Sequence, residues 1–179
     1  MSGILADNTG RASGLLKAAG GGGKVLQVVQ NTFTGTASNS GTSYDEVTTS
    51  FRGVITPTLA TSKILVFMAI VGSASGNYGW ASMYRLIAGG SDAQIAMGDA
   101  SGSQIRTSTG QFQQINANQQ HGPWTVVWLD APSTALEVTY KLFTFSHSTF
   151  YLNRPDSSAD LYNVGKGVST FTMMEIDNA

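Results

Sequence analysis

The stretch AAGGGGKV, residues 18–25, has the outline of a phosphate-binding loop. The Walker pattern requires a glycine six residues before the lysine and a serine or threonine after it. Here those positions hold Ala18 and Val25. The glycines also precede a strand-like run, so no helix N-terminus awaits an anion. The two histidines, His121 and His147, lie far apart in sequence with no partner at metal-ligand spacing, whereas a zinc site takes about three or four nitrogen, oxygen or sulfur ligands. The acids are scattered along the chain, among them Asp99, Asp130, Glu137, Asp156, Asp160 and Glu175. Glycosidase chemistry needs two facing carboxyl groups, and nothing in the spacing selects Asp99 and Asp130 as that pair. DASGS, residues 99–103, reads as an ordinary turn before it reads as a cation loop. No G-x-S-x-G elbow and no EF-type loop occurs. The expectation is a protein without catalytic residues, metal or cofactor.

What remains are aromatic side chains able to stack a flat or sugar-like ligand. Trp124 and Trp128 share strand parity, with Val126 between them, and read as core or subunit contact. GNYGW, residues 76–80, resembles a loop tip, which makes Tyr78 and Trp80 the candidate glycan or receptor contacts.

The chain that must position these groups has 179 residues, enough for one domain with a core. Charged residues make up 12%, about half the usual share, and the net charge is −1. No block of like charge invites nucleic acid or an anionic membrane. Cysteine is absent, so burial and association alone hold the fold. KILVFMAIVG, residues 63–72, is too short to span a bilayer. The N-terminus lacks the basic and apolar regions of a secretory signal, which implies synthesis in a cytoplasm.

Residues 1–23 carry two apolar doublets, Ile4-Leu5 and Leu15-Leu16, among small and polar residues, and end in Gly20, Gly21, Gly22 and Gly23. Each glycine costs about 1 kcal/mol in a helix interior. The reading is an extended N-terminal arm on a glycine hinge, with a reach of roughly 75 Å, whose doublets order only against a neighbour.

From Lys24 the pattern is β throughout. EVTTSFRGVITP, residues 46–57, alternates as a half-buried strand, with Val47, Thr49, Phe51 and Ile55 on one face. Residues 63–72 read as a central strand buried on both faces. GWASMYRLIAGG and AQIAMGDASG read as two strands joined at Gly89-Gly90-Ser91, and 99–121 as a long polar loop. Leu136, Val138, Tyr140 and Leu142 share a face, after which both faces turn apolar. Eight or nine short strands without a helix indicate an all-β fold, a jelly-roll β-sandwich over 24–179. The apolar excess in 64–71, 143–150 and 171–174 exceeds one core, so a homotrimer is expected, with Phe143, Phe145, Phe171 and Met173 as candidate interface residues.

The phrases GKVLQVVQ, ITP before TSKILV, then GDA, LDAP and the closing TFTMMEI resemble a recurring module of tailed-phage virion proteins. The likeness covers roughly residues 24–176. NTGRASGLLKAAGG is similar to the segment that often precedes that module. The resemblance implies a trimeric jelly roll, like the tumour-necrosis-factor and C1q-type domains, on a virion surface. It supplies no catalytic residues. With only 23 residues ahead of the knob, it further implies a capsid decoration (cement) protein, anchored on the major capsid protein or another virion protein by its arm. The alternative is a receptor- or glycan-binding knob of a tail or head fibre.

Overall fold

The computed structural model describes residues 24–75, 78–111, 121–156, 162 and 164–177. The arm residues Ile4, Leu5, Leu15 and Leu16 and the hinge glycines 20–23 lie outside the described residues.

Among the described residues eleven strands form two antiparallel sheets and no helix occurs. The first sheet holds β1 (Val25–Phe33), β2 (Ala37–Asn39), β5 (Lys63–Ala74), β8 (Gly122–Asp130), β10 (Phe150–Leu152) and β11 (Ser169–Ile176). The second holds β3 (Asp45–Glu46), β4 (Arg52–Ile55), β6 (Gly79–Ile87), β7 (Ala93–Ile95) and β9 (Val138–Ser146). β11 and β10 pair with successive parts of one edge of β5, while β8 pairs with its other edge. The first sheet therefore runs β1–β11–β5–β8 in four columns. β3 and β4 likewise share one edge of β9, so the second runs β4–β9–β6–β7.

The two sheets pack as a β-sandwich around one core. β5 sends Ile64, Val66, Met68 and Ile70 inward, each at most 1% exposed, and Tyr140, Leu142 and Met83 face them from the second sheet. Fully burying each such side chain stabilises by about 1.5–3 kcal/mol relative to leaving it in water. Phe51 fills the end of the core, its ring 4.7 Å from Phe171 and 5.9 Å from Phe33.

Three buried polar nodes tie the elements together. Asp130 at the end of β8 accepts from Arg85 Nη1 and from the Tyr140 hydroxyl, both at 2.8 Å, which joins the sheets across one edge. Burial, then the adjacent Asp130 charge and hydrogen bond, push the Tyr140 phenol well above its ordinary pKa, so it remains a donor. Asn153 has φ +60°. Its side-chain amide donates to the carbonyls of Phe33 (2.7 Å) and Gly35 (2.8 Å) and accepts from Ser169 Oγ (2.6 Å). Glu175 takes four donors at the foot of β11.

Several sequence expectations change in detail. Residues 46–57 are not one strand: the chain turns at Thr48–Ser50, where Thr48 Oγ1 accepts the Ser50 N–H at 3.2 Å. Such a local side-chain bond competes with the sheet ladder. Val47, Phe51 and Ile55 still reach the core. The run from Val138 to Leu152 is broken at residues 147–149, where the chain leaves the second sheet and enters the first. β5 is central, but only its inward face is fully buried. Leu65, Phe67, Ala69 and Val71 are half-exposed on the outside of the sandwich.

Candidate functional site

Two outward surfaces stand apart from the polar remainder, one on each sheet. On the second sheet, β9 alternates so that Tyr140, Leu142 and Thr144 point inward while Lys141, Phe143, Phe145 and then His147 point outward. The β6 register sets Tyr84 opposite Lys141, Ser82 opposite Phe143 and Trp80 opposite Phe145. Tyr78 precedes β6 and accepts the His147 backbone N–H at 3.3 Å. Tyr44, ahead of β3, closes the far side, its hydroxyl donating to the Arg106 carbonyl at 3.1 Å.

The outcome is a continuous aromatic cluster. Tyr84 stacks on Phe143 with centroids 3.9 Å apart and planes 20° apart. Tyr44 lies 6.0 Å from Phe145 and 6.2 Å from Tyr84. Phe145 continues to Trp80 at 5.5 Å, Trp80 to Tyr78 at 5.2 Å, and Tyr78 to His147 edge-on at 4.6 Å. Burial within this cluster raises the Tyr84 phenol pKa above its ordinary value. At one end two ion pairs finish the face: Lys141 Nζ to Asp92 at 2.7 Å, and Arg52 held by both oxygens of Glu46.

At the opposite end the rings open into a shallow cleft of about 430 Å³ lined by Tyr78, Trp80, Ile105, Gln111 and His147. No lysine, arginine or acid lines it among the described residues. The structure thus brings together the two aromatic residues singled out in the sequence, although Trp80 stands within β6 and not at a loop tip. It adds His147 and Ile105, which sequence reasoning missed. The parity of 143, 145 and 147 was the available signal, hidden because cross-strand register decides which residues of β6 meet them.

The second surface is the outside of the first sheet. Cross-strand partners place Val28, Met174, Leu65 and Leu129 in one row across all four columns. Gln30, Thr172, Phe67 and Val127 form the next row, and Thr32, Thr170, Ala69 and Thr125 the third. Val28 is 56% exposed, Val127 53% and Leu129 47%. The apolar end of this face is an uncovered patch, and it fades into threonine and alanine along the strands.

The four residues expected at a subunit interface divide between the core and the outer face of the second sheet. Phe171 and Met173 are fully buried inside the sandwich, because their strand parity faces the core. Phe143 and Phe145 belong to the aromatic cluster on the other sheet. The outward residues of β11 are Thr172 and Met174. Trp124 and Trp128 do share a face with Val126, as their parity required. Val126 is buried and Trp124 packs on the core, whereas Trp128 stays 43% exposed on the edge strand. Asp99 is exposed and Asp130 is engaged by Arg85 and Tyr140. Among the described residues no three His, Cys, Asp or Glu side chains gather as a metal cluster, and no helix is long and apolar enough to cross a membrane.

No family model matches the chain, and no curated protein matches it in a sequence search.

Proposed function

We propose that this chain is a structural protein of a tailed-phage virion, a trimeric jelly roll that decorates the capsid surface and stabilises the shell. The observation that carries the reading is the uncovered apolar end of the first sheet's outer face, Val28, Met174, Leu65 and Leu129 with Phe67 and Val127 beside them. Contiguous exposed apolar surface marks an interaction site. An apolar face of this kind suits another copy of itself better than a charged partner. The strand order supports the jelly roll, since eight columns in two sheets are linked by a chain that passes repeatedly between them. The trimer count, the virion setting and the role of arm residues 1–23 in gripping the major capsid protein rest on the sequence resemblance.

Sedimentation velocity at micromolar concentration tests the assembly: a single trimer is the expected species, and a monomer overturns it. Protein lacking residues 1–19 should remain trimeric yet fail to bind capsids. Decoration by that truncated protein removes the arm from the account.

The aromatic cleft favours a second reading, a receptor- or glycan-binding knob on a fibre. Densitometry of purified virions separates the two, since hundreds of copies per particle indicate decoration and a handful indicate a fibre.

A further inference from the structure

We infer that the cleft between Tyr78, Trp80 and His147 is a binding site for a single neutral pyranose unit at the end of a glycan. The inference gives a ligand class to the site behind the knob reading, but it is measured on the isolated protein and does not depend on where on a virion the protein sits.

The walls have the chemistry that a sugar ring requires. Trp80 and Tyr78 stand 5.2 Å apart with their planes inclined by 52°, so they form two sides of a cradle rather than a closed stack. The π face of such a ring is electron-rich, and the C–H face of a pyranose presents weakly positive hydrogens to it. Gln111 and His147 lie at the rim and place an amide and an imidazole there, groups of the kind that hydrogen-bond to sugar hydroxyls. Ile105 supplies the remaining apolar wall and is 39% exposed. The volume falls within the roughly 300–1,000 Å³ range of small-molecule sites.

The cradle is also held in place. Trp80 is fixed in β6 and backed by Phe145 at 5.5 Å. Tyr78 is set by the His147 N–H to its carbonyl and by the edge-on imidazole. Rigid aromatic side chains lose little freedom on binding, which favours a weak ligand. The described lining residues include no arginine or lysine, the natural partners of sialic acid and other acidic sugars, which selects against such ligands. The ion pairs of this face, Lys141 with Asp92 and Arg52 with Glu46, lie at its opposite end.

Saturation-transfer NMR with the methyl glycosides of glucose, galactose, mannose and N-acetylglucosamine tests the site on the full chain. At least one is expected to bind with a dissociation constant on the order of 1 mM and to perturb tryptophan fluorescence. Trp80→Ala and His147→Ala should each weaken that binding at least tenfold, and Trp80→Phe should retain part of it. Trp128→Ala, on the other sheet, should leave it unchanged. His147 is exposed, so its variant keeps the test valid even where Trp80→Ala lowers stability. Silence from all four glycosides at tens of millimolar overturns the inference. So does binding that survives both variants, or a preference for phenol or indole over every sugar, which would mark a site for an aromatic group.

Discussion

The Glu175 carboxylate accepts the backbone N–H of Thr58 at 2.7 Å and the hydroxyl of the same residue at 2.8 Å. Gln27 Nε2 donates to its other oxygen at 2.6 Å, so one buried acid joins β1, β11 and the turn after β4. Burial alone would raise this acid's pKa. The donors from Gln27, Ser62 and Thr58 outweigh it and bring the pKa down to about 2. Ser62 Oγ contributes at longer range, having no partner within hydrogen-bond geometry. A folded pKa below the unfolded one means stability that is complete above about pH 4.5 and is lost as pH falls toward 2. A Glu175→Gln variant should lose about 2–3 kcal/mol at pH 7, and its urea midpoint should vary less than the wild type's between pH 5 and 2.5. Equal acid sensitivity in both proteins would show that other carboxylates govern the loss.

Asn153 combines a left-handed backbone with a fully buried amide. Asparagine tolerates that conformation better than most residues, and all three of its side-chain bonds reach elements distant in sequence. Asn153→Ala strands the carbonyls of Phe33 and Gly35 and the hydroxyl of Ser169, at a cost of about 3 kcal/mol. Asn153→Gly relieves only the backbone term and should recover well under half. Thermal unfolding of the two variants checks the order, and equal losses would indicate that strain, not bonding, dominates.

The Arg85–Asp130–Tyr140 node predicts an asymmetry. Tyr140→Phe removes one donor and leaves Asp130 paired, for a loss of about 1–1.5 kcal/mol. Arg85→Met leaves a buried carboxylate without its cation, and losses near 3–5 kcal/mol are typical of that defect. Chemical denaturation that ranks Tyr140→Phe as the worse variant would contradict the node as drawn.

Alternation carried most of the fold in the sequence. The inward set Ile64, Val66, Met68 and Ile70 and the matching set Val138, Tyr140 and Leu142 are readable at period two, and Gly89-Gly90-Ser91 marks the turn after β6, where Gly89 takes φ +81°. Which face of a doubly apolar strand is covered could not be read that way. β5 is apolar on both sides, and only the placement of β9 and β6 over one side makes Phe67 an outward residue. The same ambiguity placed Phe171 and Met173 at a subunit contact, when their parity directs them into the core. Tyr78 and Trp80 were legible as aromatics beside a turn. Their union with Phe145 and His147 depends on the β6–β9 register, a relation between segments some 65 residues apart that no local pattern encodes.

Val127 offers the cleanest separation of association from folding. It is 53% exposed on β8, its outward neighbour across the sheet is Phe67, and the other edge of β8 has no sheet partner among the described residues. A lysine there meets solvent in the monomer, where exposed substitutions usually change stability by no more than about 0.5 kcal/mol. Buried between two copies, the same ammonium lacks a counter-charge, and desolvation of an unpaired ion is severe. Val127→Lys and Leu129→Lys should therefore keep the wild-type melting profile of the subunit while shifting the sedimenting species from oligomer to monomer at micromolar concentration. Val54→Lys, at a position also exposed (40%) but on the outside of the second sheet, should leave the oligomer intact. An oligomer that tolerates lysine at both 127 and 129, yet dissociates with Val54→Lys, would move the interface to the aromatic face and with it the surface that the assembled particle presents.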